Sequence, residues 1–541
     1  MLLTQKKRNI LSFVALVVSI IWMKEVNYLY YNSIDSPDFD RYFIYLRHFS
    51  DVSIEINREH GLLYYYLHYI NYFFRYNEFT NVDLFFHKSI QETNFYIYIF
   101  GLIGYYKLLK YFNFKNSSIF LTFIFINFFP IAIALRIVFK PEILAFSLLP
   151  WIIYCVEKYK SIKDIRYAIL SIPLLVGCLT LKGNVLVVVS IYLFFTYFSI
   201  LFSSNKKHVF IFFTIFISIF SIVTFENLNT SNKNILNLQS GSAEEAFGET
   251  YNNKAPAKIV YNTNLYNLVS SPVKHYHADS FIGITLLETT GDYFDLYWDN
   301  DSSNYFKSRK EYIEFTTSKE ISPPSINSGN KKLTIYLQEN ENIYVYESIG
   351  LMVSLVFYFL LFKYILIEKK YRRFLIAIFF GMVVLLFHSI TGIPENNFDP
   401  NIGDTFKPLY YSFVFLLSTI FLVVNMVDKS KKSKLYLVLY VLLIILIIGI
   451  PKTTSEDLNQ DLSYYIEYSE YCEVKNSIYK NLYNINDVVC FDKNDVENLS
   501  TEGERFYNNN FLLKPANLLL LVSSILVSFY LLIFDRKLNT K

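Results

Sequence analysis

Apolar runs of similar length recur along this chain, separated by short basic or long polar connections. We place them near residues 10–29, 94–112, 117–135, 141–157, 166–181, 184–202, 208–226, 347–367, 373–391, 408–427, 435–450 and 513–534. Each approaches the roughly 17–25 residues with which a helix crosses about 30 Å of hydrocarbon. Leu435–Ile450 and Leu518–Phe534 carry no charge at all. The pattern predicts an all-α polytopic membrane bundle of about twelve transmembrane helices.

Composition agrees. The 541 residues are 53% hydrophobic and 18% charged, against about 25% charged for a soluble domain. A net charge of +3 gives no case for nucleic acid as a partner. The distribution of Lys and Arg sets the orientation. Lys6 to Arg8, Lys110 with Lys115, Lys158 to Arg166, Lys206 and Lys207, Lys369 to Arg373, Lys429 to Lys434, and Arg536 with Lys537 occupy alternate connections. Twelve spans put every one of these clusters inside, with both termini cytoplasmic and the long loops outside. The first run follows a basic n-region but lacks a small-residue cleavage site, so it is expected to stay as an anchor.

Three units follow: an N-terminal transmembrane module (1–226) with the outer loop 30–93, an extracytoplasmic loop domain (227–346), and a C-terminal transmembrane module (347–541) with the outer loop 451–512. In the first loop, Phe39, Tyr42, Phe43, Leu46 and Phe49 share one helical face. Leu62–Phe74 is too short for a normal span and is expected as a helix lying in or dipping into the interface. Both are juxtamembrane helices. Lys332–Leu337 and Asn342–Tyr346 have the look of short strands, so the loop domain is expected to be small and mixed. Cys155 and Cys178 fall inside apolar runs and are expected as buried thiols. Cys472 and Cys490 share an outer loop, where a disulfide would survive and stabilise by about 3 kcal/mol.

Candidate chemistry clusters on the outer side. Asp38 and Asp40 lie in Ser36-Pro37-Asp38-Phe39-Asp40, at the start of the first-loop helix. They suit either a helix N-terminus or a general base or metal-holding pair. Arg136, Lys140 and Glu142 occupy one short turn, and Lys182 stands alone at the outer end of two adjoining spans. Charges beside hydrocarbon either snorkel, pair or line a cavity, and two cations with a carboxylate suit a phosphate. His275, His277 and Asp279 form a weak metal-like group; Asp292, within Gly291-Asp292-Tyr293-Phe294, sits among aromatic residues that could stack a sugar. Lys407 and Tyr411 flank the start of a later span.

This arrangement resembles the GT-C class of membrane glycosyltransferases, which contains protein O-mannosyltransferases and lipid A aminoarabinose transferases. Ser36 to Asp40 resembles the acidic motif of their first outer loop, and 136–142, 291–298 and 404–411 resemble their later outer segments. The resemblance implies a bacterial cytoplasmic-membrane enzyme with a polyprenyl-phosphate-sugar donor and an envelope glycan, lipid or protein as acceptor. It implies inverting transfer on the outer face. Asp38 would then take the acceptor proton, and Asp40 would orient the acceptor or hold a divalent metal. Arg136, Lys140, Lys182 and Lys407 would bind the donor phosphate, supported by Glu142, Asp292 and Tyr411. The rival readings are an O-antigen polymerase or ligase, a transporter, and a scaffold without chemistry. A transporter would place broken helices and ionisable groups near the bilayer midplane.

Overall fold

The computed structural model of the chain describes residues 4–30, 45, 46, 48, 49, 60–75, 82–203, 205–228, 263–270, 272, 280–289, 343–367, 376, 383, 411–429 and 515–533. Among these, every regular element is a helix. In chain order they are α1 (Gln5–Tyr30), α2 (Leu62–Arg75), α3 (Val82–Tyr111), α4 (Asn116–Asn127), α5 (Pro130–Ile137), α6 (Glu142–Ile162) and α7 (Ile165–Leu179). There follow α8 (Gly183–Ser203), α9 (Lys206–Leu228), α10 (Leu265–Ser270), α11 (Phe281–Glu288), α12 (Ile343–Ile367), α13 (Ser412–Lys429) and α14 (Pro515–Ile533). Lys206–Asn227 and Pro515–Leu532 are long and apolar enough to cross a membrane, and α4 with α5 qualifies as a bent pair. Of the expected span 373–391 only residues 376 and 383 are described, both helical, and 435–450 lies outside the described residues.

α6 forms the centre of the bundle. It packs against α3, α5, α7, α8 and α13, and its side chains from Glu142 to Cys155 are all buried. α3 approaches it through Gly101 and Gly104, one turn apart. A Cβ on Gly104 would lie 2.7 Å from Trp151 Nε1 and 2.9 Å from Pro150 Cγ, so hydrogen at that position lets the two helices meet. The C-terminal module is not packed apart from the N-terminal one: α13 lies against α4 and α6, and α14 against α2, α7 and α9.

The outer helices are apolar outwards and set small or polar residues among larger apolar ones inwards. α1 exposes Ile10, Phe13, Val14, Val17, Val18 and Ile21 while burying Ser12, Leu16, Ser19 and Met23. α14 exposes Leu519, Val522, Leu526 and Phe529 while burying Asn517, Ser524 and Ser528. Water would penalise such a surface and hydrocarbon would solvate it, while small inward residues allow close helix contact.

Contacts between helix ends sort the bundle into two poles. At one, Gln5 Nε2 donates to Ser117 Oγ (3.2 Å), Ser118 Oγ donates to Asp428 (2.9 Å), Lys115 pairs with Asp428 (3.5 Å), and Tyr159 Oη meets His208 Nδ1 (3.3 Å). This is the pole of the basic clusters Lys6 to Arg8, Lys110 with Lys115, Lys158 to Arg166, and Lys206 with Lys207. The starts of α6, α8, α13 and α14 and the end of α9 form the opposite pole.

Two expectations change. The run 117–135 is not one helix: Pro130 removes a backbone donor and biases Phe129 away from helical geometry, so α4 stops at Asn127 and α5 departs at 66°. At 1.5 Å per residue, α4 reaches only about 18 Å and α5 about 12 Å. Asn342–Tyr346 is also not a strand: Ile343 to Tyr346 form the first turn of α12, where the apolar run that follows favours continuous helix over sheet pairing. Within 227–346 the described pieces are helical, and Lys332–Leu337 lies outside them. The short apolar helix over Leu62–Phe74 is present as α2, and residues 45, 46, 48 and 49 are helical and buried. Cys155 and Cys178 are buried thiols; Cys472 and Cys490 lie outside the described residues.

Candidate functional site

The turn joining α5 to α6 carries the charges. Glu142 is 0% exposed, Arg136 and Lys140 are each 1% exposed, and the side chain of Lys182 is 14% exposed. Four ionisable groups are therefore enclosed at the pole opposite the basic clusters. Burial of this kind persists only where each charge is compensated or used.

Arg136 closes the break between α4 and α5. Its Nη2 donates to the carbonyl of Asn127 at 2.7 Å, a terminal carbonyl that the interrupted helix leaves over. Its guanidinium lies 4.6 Å from the centre of the Tyr98 ring. Tyr98 Oη donates to Asn127 Oδ1 (3.1 Å), and Asn127 Nδ2 donates to Ser19 Oγ (3.0 Å). One asparagine thus ties α1, α3, α4 and α5 together. The positive end of Arg136 also meets the negative end of the α4 dipole.

Residues 138–140 are fixed from α2 and α3. Asn94 Nδ2 donates to the Val138 carbonyl (3.1 Å) and its Oδ1 accepts from Tyr64 Oη (2.9 Å). Phe139 is held among Tyr64, Tyr65 and His68 of α2. Burial pushes the His68 imidazole down to about 3, with the Asn94 amide acting weakly the other way. His68 is thus neutral across the physiological range.

Glu142 is the first residue of α6, where the helix dipole favours a carboxylate. Its Oε1 accepts from Lys182 Nζ at 3.0 Å and from Asn184 Nδ2 at 3.2 Å. Its Oε2, also buried, accepts no hydrogen bond. A half-satisfied buried carboxylate costs about 1–3 kcal/mol or more, so its persistence calls for a reason. Lys182 is positioned by a short antiparallel bridge to His60, in which Gly61 N donates to Leu181 O at 2.8 Å. Gly61 is required there for space: a Cβ would fall 1.7 Å from the Thr180 carbonyl oxygen. The preceding residue is anchored too, since His60 N donates to Tyr45 Oη (3.1 Å) and Tyr45 stacks on Tyr65 at 4.1 Å. The stretch of the first loop just before α2 is therefore fastened to the corner that carries Lys182.

Of the sequence candidates, Arg136, Lys140, Glu142 and Lys182 come together. Tyr411 lies in a neighbouring polar relay: Thr289 Oγ1 meets Tyr358 Oη (2.9 Å), which meets Tyr411 Oη (3.3 Å). All three are buried. Tyr411 reaches the Arg136 region through packing, by way of Phe415 and Phe129. Asp38, Asp40, Asp292 and Lys407 lie outside the described residues, as do His275, His277 and Asp279. Among the described residues no three His, Cys, Asp or Glu side chains gather as a metal site would need.

Sequence reading passed over several members of the site: Asn94, Tyr98, Asn127, Asn184, His60 and Gly61. A lone Asn within an apolar run, three residues before a Pro, was the available signal at Asn127. Glu226 was also missed. Its carboxylate accepts from Ala516 N (2.9 Å), Asn517 N (2.8 Å) and Asn517 Nδ2 (2.6 Å), capping α14. It lies close to α2, where burial first and the Glu226 charge second push the Tyr66 phenol up to about 12. No family model, curated protein or solved structure matches this chain.

Proposed function

We propose that this chain is a twelve-span cytoplasmic-membrane transferase of the GT-C type. It moves a sugar from a polyprenyl-phosphate donor to an acceptor hydroxyl at the outer pole, with inversion. One observation carries the reading: Arg136, Lys140 and Glu142 from one turn and Lys182 from a second segment are enclosed together at the pole away from the basic clusters. The bundle's apolar flanks would hold the lipid tail of the donor, and the cations would face its phosphate. As the bond from the anomeric carbon to the phosphate oxygen breaks, charge grows on that oxygen, and fixed cations in a site closed to water stabilise it. A carboxylate at the same pole takes the acceptor proton, which the first-loop pair Asp38 and Asp40 or Glu142 can supply.

The test is turnover. Membrane vesicles bearing the chain are given radiolabelled polyprenyl-phosphate sugars extracted from labelled bacteria, and free polyprenyl phosphate is measured. The chain should accelerate release, and Lys140→Gln should slow it about 10- to 100-fold, the equivalent of one charge-assisted contact at about 1.5–3 kcal/mol. Release no faster than in vesicles without the chain refutes the reading.

The 66° break between α4 and α5 favours a second reading, a transporter, because discontinuous helices line transport sites. Here the broken end of α4 is already closed by Arg136. Uptake of a labelled solute by sealed vesicles without any release of polyprenyl phosphate would select the transporter.

A further inference from the structure

We propose that Glu142 is the group that accepts the proton of the acceptor hydroxyl. This deepens the transferase reading and rests on it.

The two carboxylate oxygens of Glu142 stand in different surroundings. Both Lys182 Nζ and Asn184 Nδ2 donate to Oε1, which fixes the plane of the group and leaves the lone pairs of Oε2 directed elsewhere. That oxygen is wholly enclosed and accepts nothing. Proteins seldom tolerate such a group without a use for it, and uncompensated acids in enclosed polar clusters mark functional sites. Three other carboxylates among the described residues are already engaged. Both oxygens of Glu226 hold the start of α14, Asp164 is held in a two-pronged pair by Arg166, and Asp428 takes Ser118 and Lys115. Asp164 and Asp428 also stand at the basic pole. Glu142 combines an open oxygen with proximity to the candidate phosphate-binding cations: Lys182 touches it, and Lys140 and Arg136 precede it in the same turn.

The pairing also couples the two halves of the reaction. The acceptor O–H bond breaks as its proton passes to Glu142 Oε2. The oxygen's electron pair forms the bond to the anomeric carbon, while the bond from that carbon to the phosphate oxygen breaks and its electrons leave with the phosphate. Glu142 becomes neutral as the phosphate gains negative charge. Lys182, which faced a carboxylate charge before the step, faces the phosphate charge after it. Positive charge is thus present throughout without a new cation having to enter. Lys182 and Asn184 act as positioning residues, and the His60–Gly61 bridge holds Lys182 in place.

The experiment uses the full chain in vesicles with the same labelled polyprenyl-phosphate sugars. Glu142→Gln keeps the shape and both donors to Oε1 but removes the proton acceptor. It should lower release of polyprenyl phosphate at least 100-fold, while binding of unlabelled polyprenyl phosphate, read by native mass spectrometry, changes less than threefold. Glu142→Asp, which keeps the charge and withdraws the oxygen by one methylene, should lose about 10- to 100-fold in rate with unchanged melting temperature; it serves where the glutamine variant misfolds. Wild-type release with Glu142→Gln or Glu142→Asp running within threefold of it overturns the Glu142 assignment and leaves the transferase reading standing. If, in the same run, Asp38→Asn abolishes release, the proton goes to the first loop. Absence of release by the wild-type chain overturns both.

Discussion

Replacing Gly61 by alanine isolates the fastening between the first loop and the Lys182 corner. The added methyl would meet Thr180 O at 1.7 Å and Thr180 C at 2.7 Å, both backbone atoms that cannot rotate aside. The two segments must therefore part. Parting them loses the bond from Gly61 N to Leu181 O, worth about 0.5–1.5 kcal/mol. It also draws Lys182 off a fully buried carboxylate, and breaking a buried pair costs up to about 3–5 kcal/mol. Because the Lys182 side chain is 14% exposed and water can replace part of the contact, the sum belongs nearer 2–4 kcal/mol, estimated from these two ranges.

Hydrogen exchange reads this locally. With every 1.4 kcal/mol worth tenfold, amides of residues 61 and 182–184 should exchange roughly 30- to 1000-fold faster in Gly61→Ala. Those of α13 should not change. Gly101→Ala is the control. Its Cβ would meet Phe146 side-chain carbon at 3.0 Å and Ser147 Cα at 3.0 Å, a mild crowding that small shifts relieve, so its exchange near 182 should match the wild type. Equal protection of residues 61 and 182–184 in Gly61→Ala and wild type refutes the fastening.

Two further outcomes follow from the same pole. His68 in the folded chain takes a proton only near pH 3, whereas in the unfolded chain it does so near 6.5. The unfolded state thus binds more protons between these values, so stability is full above pH 6.5 and falls as pH drops towards 3. By pH 5 the loss is about 2 kcal/mol. His68→Phe in detergent should therefore lose less melting temperature than wild type between pH 7.5 and 5, and an unchanged difference refutes the buried neutral imidazole. Glu226→Ala removes the acceptor of the first two available donors of α14, since Pro515 has none. It should cost about 1–3 kcal/mol in thermal unfolding and expose the start of α14 to protease; wild-type resistance would refute the cap.

The bundle was legible where one rule acts alone. Apolar length alone predicts the helices α1, α6, α9 and α14, because no local signal opposes them. The break at α4 was equally visible in Pro130, but the apolar run masks it: a hydrophobic window weighs burial and is blind to a missing backbone donor. The strand expected over Asn342–Tyr346 failed for a related reason. Five residues with alternating tyrosines read as a strand only when cut away from the long apolar run behind them, and helix propagation from that run is cheaper than finding a sheet partner.

The site was legible in its residue types but not in its pairings. A charge inside an apolar chain is conspicuous, so Arg136, Lys140, Glu142 and Lys182 could be singled out from sequence. What each faces depends on groups as distant as His60 is from Lys182, and these carry no signature of their own. Asn127 reads as an ordinary polar interruption, yet it holds four helices and supplies the carbonyl that engages Arg136. Gly61 reads as a loop glycine, yet the whole placement of Lys182 against Glu142 depends on its lack of a side chain. That dependence changes how Arg136 should be weighed among the four. Its guanidinium already serves the broken end of α4, whereas Glu142 keeps an oxygen uncommitted. Substituting Arg136 should therefore disturb the bundle first and the chemistry second, and the opposite order should hold at Glu142.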